Sequence, residues 1–432
     1  MELTTVQKRK RRYMMISSAF AIFFTGFPHV WSVYQPYVME EARWSQTETS
    51  ICFYLTLATF VFGNIIGGRM MDIYGSKKVM WIGGYIFSAG VMISAALIIP
   101  SPIPFYITYG VMQGLGQGMI YTAIIATAQK WFPGRTGFAS GVIVTANGLC
   151  GLFLAPISRK LLEIGGAKYA LLFIGFFITI SWLFSSSLFS TPDEQWRILA
   201  EKDLLKKTGN QVQITEKRQF RSSEMIQTKK FYYLLATMCF GLMSYFMISP
   251  ISQSYQLEIG IPSSVAISAI MIGSLVNAGT RLILPTLSDK IGRISCIRLI
   301  AIVSIIAMTV LASSQSYFAT AAIIATYGCF GGIMGSFPSL TSSIFGLKHS
   351  GENYGFVMFG IVIATFGSPV IVNAITTRGM SMRVVFVIGI GFAVAALISL
   401  QLLQWELNKK EKTGEMNYVF SDNEKSIGTC QK

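Results

Sequence analysis

The chain has 432 residues, of which 52% are hydrophobic and only 13% charged, and its mean hydropathy is +0.53. A soluble domain carries roughly 25% charged residues, so this composition excludes a chain that meets water over most of its surface. The formal net charge of +15 would suit nucleic acid if the basic residues formed one patch, and their distribution argues against that.

A helix needs about 20 consecutive apolar residues to cross a bilayer. Hydropathy places twelve such segments, near 13–37, 49–71, 79–99, 103–128, 138–160, 169–190, 231–255, 263–287, 297–314, 317–345, 353–376 and 382–405. The fold class expected is therefore an all-α polytopic membrane protein with twelve transmembrane helices. The first segment follows "KRKRR" (Lys8–Arg12). It is too long for a signal-peptide core and lacks a small-residue cleavage site, so it is expected to stay as a span. It contains Trp31, Tyr34 and, after Pro28, His29. His29 is the one intramembrane group that titrates near neutral pH, which makes it a candidate proton site; a plain hydrogen-bonding role is the alternative.

The second span runs into "GRMMDIYGSKK", with Asp72, Gly75 and Lys77. The fourth carries "GLGQG" and Tyr121, and the tenth carries Tyr327, Phe330 and "GGIMG". These glycines suit close helix packing and form no phosphate loop, since no strand precedes them and no P-loop lysine follows. The six cysteines are scattered without a CxxC pair and read as free thiols. Residues 191–230 are highly charged and divide the spans six and six. Within them "DEQWRILAEKDLLKK" reads equally as an amphipathic surface helix or a solvated linker. The expected organisation is a bundle over 1–190, a cytoplasmic linker over 191–230, a second bundle over 231–405 and a tail over 406–432.

Counted on alternate sides of the spans, 28 Lys and Arg fall on the side of both termini. Six fall on the other: Arg43, Arg159, Lys160, Lys168, Arg378 and Arg383. By the positive-inside rule both termini are expected in the cytoplasm, with the chain in the cell membrane. The basic balance thus reports topology, and no nucleic-acid partner is expected.

The remaining basic residue is Arg281, inside the eighth span in "SLVNAGTRLILPTLSDKIGR" (Ser274–Arg293). Asp289, eight residues on, marks the span's end at ~12 Å of helix rise. The hydrocarbon half-thickness is ~15 Å, which puts Arg281 near the midplane, far for snorkelling to the interface. Burying an arginine at a helix centre costs ~2.5–3.5 kcal/mol on insertion scales. No Asp or Glu falls well inside any span, so an internal ion pair is not expected. The partner left is an anion from outside. Ser274, Asn277, Arg281 and Ser288 share one helical stripe expected to face a cavity. Asn277, one turn from Arg281, is placed to hold the guanidinium or to donate to a carboxylate. A guanidinium engages a carboxylate at two points, which lysine cannot do.

The two halves repeat a pattern: Asp72/Gly75 after the second span and Asp289/Gly292 after the eighth, both D-x-x-G, with Lys77 and Arg293 close behind. A glycine permits the tight reversal, and the carboxylate can pair with a base or meet a helix N-terminus across the bundle. These six residues are the expected cytoplasmic gate. The duplicated loop resembles the signature of the major facilitator superfamily. "TAQKWFPGRTGFASG" (Thr127–Gly141), "NAGTR" (Asn277–Arg281) and "GFPHVWSVYQP" (Gly26–Pro36) resemble its oxalate/formate antiporter branch, neighbour to the monocarboxylate transporters. The resemblance implies two pseudo-symmetric six-helix bundles, no cofactor, and a cavity lined by Trp31, Tyr34, Tyr121, Tyr327 and Phe330 around Arg281.

Two departures bear on the substrate. Oxalate-type members carry a lysine in the eleventh span where this chain has Ile361, and animal monocarboxylate transporters carry an Asp where it has Asn277. One fixed cation suits one carboxylate. The function expected is alternating-access transport of a small monocarboxylate (lactate, pyruvate or formate) by a monomer, with a co-transported proton or an exchanged anion. The rival readings are an oxalate or other dicarboxylate antiporter, and a non-transporting sensor of this fold. Neither a nucleophile–base constellation nor a metal cluster is visible, so no enzyme is expected.

Overall fold

The computed structural model describes residues 5–192, 196, 198, 199 and 218–412, and these are almost wholly helical. The first crossing is α1 (Thr5–Phe24), a 3-10 turn (Phe27–Val30) and α2 (Trp31–Ala42). The turn falls where Pro28 removes a backbone donor. Then follow α3 (Gln46–Tyr74) and α4 (Ser76–Ala96). The fourth crossing joins α5 (Ile103–Phe105), a π-helical stretch (Tyr106–Met112) and α6 (Gln113–Trp131). α7 (Thr136–Leu188) is 53 residues long but is two spans, because Gly166 leaves helical geometry at φ 72°. The linker's end forms α8 (Ser222–Met225).

The second half holds α9 (Lys229–Ile248), a 3-10 turn (Ser249–Ile251), α10 (Ser252–Glu258), α11 (Ser263–Ile291), α12 (Arg293–Ser313), α13 (Tyr317–Phe345), α14 (Ser350–Val357), α15 (Phe359–Thr376) and α16 (Met382–Lys412). Among the described residues, ten helical stretches are long and apolar enough to cross a membrane. Counting α7 twice and adding the fourth crossing gives twelve. The fourth crossing is among the most enclosed, with nearly every side chain of α6 buried.

Within the first half α1 packs on α7, and α3 and α4 on α6; within the second, α11 and α12 pack on α13, and α9 on α16. The halves meet through α7 against α11 and α13, and through α3 against α14. Both contacts crowd toward the end that holds the termini. Along α11 the side facing α7 carries Ser264, Ile267, Met271 and Ser274, all exposed, then Ala278 and Arg281, both buried. On α7, Gly137, Gly141 and Gly148 press against α11, whereas a side chain at Gly151 would meet nothing within 4 Å. The α7–α11 seam is closed at the termini end and opens beyond the level of Arg281, while α3 still meets α15 there through Tyr54 and Phe366, whose ring centres are 5.4 Å apart.

The described residues resume at 218, at the end of the linker. Phe220 N donates to Phe345 O at 2.9 Å, and Asn353 Nδ2 donates to Phe220 O at 3.0 Å. Most of the "DEQWRILAEKDLLKK" stretch and all of the tail beyond Lys412 lie outside the described residues. Cys52, Cys150, Cys239, Cys296 and Cys329 are buried free thiols; Cys430 lies outside the described residues.

Candidate substrate site and gate

Arg281 is 4% exposed and lies where the two halves touch. Its Nε donates to Asn277 Oδ1 at 3.0 Å, one turn back on the same helix. Its Nη1 reaches across to α7, donating to Val144 O at 3.3 Å and Asn147 Oδ1 at 3.4 Å. All three acceptors are neutral. No carboxylate lies within ion-pair distance of it among the described residues. Nη2 takes part in none of these bonds. A buried guanidinium with only neutral partners keeps its full charge to offer an anion.

Aromatic rings form one wall. The guanidinium carbon sits 5.5 Å from the centre of Phe330. Tyr245 of α9 stacks on the same ring at 4.1 Å and meets Tyr327 edge-on at 5.1 Å. Tyr327 Oη lies 3.5 Å from Ser249 Oγ. From the first half, Tyr121 packs edge-on against Phe60 at 5.1 Å. Tyr121 and Tyr354 are neighbours, and neither hydroxyl finds a protein partner of good geometry. His29, in the 3-10 turn of the first crossing, is exposed while its neighbours Phe27, Pro28 and Val30 are buried.

Trp31 and Tyr34 fall elsewhere, which corrects the expectation that they line the cavity. Tyr34 is fully buried, and its Oη donates to Ser158 Oγ at 3.1 Å. Trp31 Nε1 donates to Thr49 O at 3.0 Å, and its ring packs on Tyr109 at 4.5 Å. Both satisfy their polar atoms inside the first half, because α2 turns that face toward α3 and α7. The stripe on α11 is also not uniform. Ser274 is exposed and donates to Ile270 O, whereas Ser288 is buried and donates to Pro285 O.

The two D-x-x-G loops hold the closed end in different ways. Gly75 and Gly292 take φ 83° and 92°, which ends α3 and α11 in sharp reversals. Asp289 accepts from Gly137 N at 3.0 Å and Phe138 N at 2.9 Å, the first free amides of α7. A carboxylate there meets the positive end of the helix dipole. Arg293 completes the latch, donating to Thr136 Oγ1 at 2.7 Å and lying 3.5 Å from Asp289. Asp72 instead pairs with Nδ1 of His349, just ahead of α14. Lys77 is exposed and makes no ion pair among the described residues.

Four of these participants escape a reading for charge. Asn147, Tyr245 and Tyr354 are polar but neutral residues, and His349 lies in a loop. The asparagine in "VTANGLCG" was the available signal: a strong hydrogen-bonding side chain beside a glycine in an apolar span.

The model of the family described as Major Facilitator Superfamily matches residues 14–369. The chain belongs to the Major Facilitator Superfamily. It is 26% identical over 348 residues to the oxalate:formate antiporter of Oxalobacter formigenes, covering 80% of this chain and 79% of that one. It is 33% identical over 103 residues to monocarboxylate transporter 9 of Rattus norvegicus, which covers 24% of this chain and 20% of the relative. The fold matches the E. coli fucose:proton symporter with a TM-score of 0.66 at 13% identity, over 91% of this chain and 98% of that one. It also matches a bacterial homologue of the iron transporter ferroportin, with a TM-score of 0.69 at 13% identity over 91% and 99%. This superfamily member is a multi-pass membrane transporter.

Proposed function

We propose that this transporter moves a small monocarboxylate such as lactate, pyruvate or formate across the cell membrane by alternating access, with both termini in the cytoplasm. The observation that carries the reading is Arg281: a buried guanidinium at the meeting of the halves whose partners are all neutral. The substrate carboxylate binds Arg281, positioned by Asn277 and Asn147, against a wall of Phe330, Tyr245 and Tyr327 with Tyr121 and Tyr354 opposite. The anion neutralises the cation, which lowers the cost of closing the site away from water and makes the conformational change conditional on substrate. The geometry supports release toward the termini end once the Asp289 and Asp72 latches part. The kinship with an oxalate:formate antiporter keeps a dicarboxylate exchanger as the second reading. Nothing in this sequence of steps breaks a covalent bond, so the protein works as a carrier and not as an enzyme.

Uptake of labelled lactate, pyruvate and formate into proteoliposomes, competed by a panel of mono- and dicarboxylates, tests the substrate class. Arg281→Lys and Arg281→Ala are expected to lose uptake by on the order of 100-fold, the worth of a charge-assisted two-point contact. Unchanged uptake by either inserted, folded variant would sink the proposal. Labelled oxalate counterflow exceeding lactate counterflow across neutral pH would decide for the dicarboxylate exchanger.

A further inference from the structure

α1 ends at Phe24, ahead of the 3-10 turn that contains Pro28, and Thr25 is the first residue past it. A threonine at a helix end can turn its hydroxyl back on the carbonyl three residues earlier. Thr25 does so: its Oγ1 donates to Ile22 O at 2.6 Å. That hydroxyl has one proton, and the bond to Ile22 uses it, so toward any other group Oγ1 can only accept. The group it meets is Asn147 of α7, whose Nδ2 donates to it at 3.0 Å. An amide that presents its NH2 on one side presents its oxygen on the other. Asn147 Oδ1 accordingly accepts from Arg281 Nη1 at 3.4 Å, across the seam between the halves.

We infer that Thr25 is a positioning residue of the anion site: it fixes which way the Asn147 amide points, and through that amide the way Arg281 faces its ligand. The inference rests on the reading of Arg281 as the anion-binding group. Thr25 is fully buried and Asn147 is 5% exposed. The backbone after Thr25 is pressed directly on α7 at this level. A Cβ at Gly26 would lie 2.3 Å from Asn147 O and 2.4 Å from Cys150 Cβ. α6 holds the same residue, since Gln117 Nε2 donates to Thr25 O at 2.6 Å. Thr25 thus has its carbonyl tied to α6 and its hydroxyl tied to Ile22 and Asn147, which leaves its lone pair one direction to point.

The direction of the amide matters because a guanidinium carries only donors. With Oδ1 toward Arg281, the asparagine draws Nη1 to the first half beside Val144 O, while Asn277 Oδ1 holds Nε. Nη2 takes no part in these bonds and is the nitrogen left for a carboxylate. With Nδ2 toward Arg281, two donors would face each other in a buried seam, and the guanidinium would be pushed from its place. The oxygen and nitrogen of an amide differ little in shape, so packing alone chooses weakly between the two orientations. The acceptor-only oxygen of Thr25 makes the choice, and it does so without touching the ligand.

The test is binding of lactate, formate and oxalate to purified full-length protein, the tightest of the three in the wild type serving as probe, with thermal stability measured on the same samples. Thr25→Val keeps the shape of the side chain and removes its oxygen. Ile22 O keeps a partner in that variant, because it also accepts from the backbone amide of residue 25 at 3.1 Å. The dissociation constant is expected to rise by about tenfold, the worth of one hydrogen bond to a charged group. Thr25→Ser, which keeps the oxygen, should bind close to wild type. Asn147→Ala should weaken binding by a similar factor, and adding Thr25→Val to it should cost nothing further, because Thr25 acts through the amide. Wild-type affinity in Thr25→Val, or the same tenfold loss repeated in the Asn147→Ala background, overturns the inference; the repeated loss is what a role in packing alone would give. Should Thr25→Val not yield stable protein, Thr25→Ala in the same two backgrounds makes the same comparison. Arg281→Gln separates the two claims. Binding lost there but unchanged in Thr25→Val removes Thr25 alone, whereas binding retained in Arg281→Gln, or no binding of any of the three by the wild type, removes the anion site and this inference with it.

Discussion

Gly148 of α7 lies directly against the side chain of Arg281 on α11. A methyl group at Gly148 would sit 3.0 Å from Arg281 Cδ and 3.1 Å from its Cζ and Nε. The arginine can cross the seam to reach Val144 O and Asn147 only because this position has no side chain. Overpacking by one or two methyl groups costs roughly 1–3 kcal/mol in a fitted site. Gly148→Ala is therefore expected to weaken substrate binding by about tenfold, and Gly148→Val to abolish uptake. Gly151→Ala, one turn on and facing open space, should leave uptake unchanged. Equal behaviour of the two alanine variants in a transport assay would remove Gly148 from the site.

Asp289 supports a second expectation. It accepts two backbone amides at the head of α7 and lies beside Arg293. Hydrogen bonds to a charged acceptor contribute about 1.5–3 kcal/mol each to what they hold. Asp289→Ala should raise hydrogen exchange at Gly137 and Phe138 by on the order of ten- to hundredfold and shift the population toward opening at the termini end. Exchange mass spectrometry of the peptide around 132–141 reads this directly. Protection as strong as in wild type would mean that packing, and not the carboxylate, keeps this end shut.

The all-helical membrane fold and its long apolar crossings were legible because they follow from hydropathy, which is a property of the linear chain. The D-x-x-G repeat marked two carboxylates at matching places, and both make contacts across the halves. It did not announce that one would use a helix N-terminus and the other a histidine, since that depends on what the opposite half brings within reach. Trp31 and Tyr34 show the same boundary. Residue type marks a tyrosine as able to line a cavity, but only the rotation of α2 against α3 and α7 decides that Tyr34 spends its hydroxyl on Ser158. Asn147 was invisible for a related reason: a neutral residue in an apolar span carries no signal of what faces it from another helix.

Asp72 and His349 tie the end of α3 to the turn ahead of α14, across the two halves. Asp72→Ala should raise hydrogen exchange around residues 68–74 by on the order of tenfold while leaving the Asp289 side unaffected. Protection equal to wild type in that variant would mean that this pair does not hold the first latch.

Gly68 offers a way to hold this end open. A Cβ there would lie 2.1 Å from Glu352 N and 2.5 Å from its Cα, so α3 and α14 touch backbone to backbone. Such a clash cannot be relieved by turning a side chain; the helices must part. Gly68→Val is expected to fold, since its contacts lie between the halves and not within one. It should still bind substrate at Arg281, and it should lose uptake, because the end bearing the termini can no longer close. Hydrogen exchange around residues 349–356 should rise together with that loss. Gly279→Ala, on a helix surface that meets nothing within 4 Å, is the control for introducing a methyl group into a span. Wild-type uptake by Gly68→Val would mean that closure at α3 and α14 is not a step of the transport cycle.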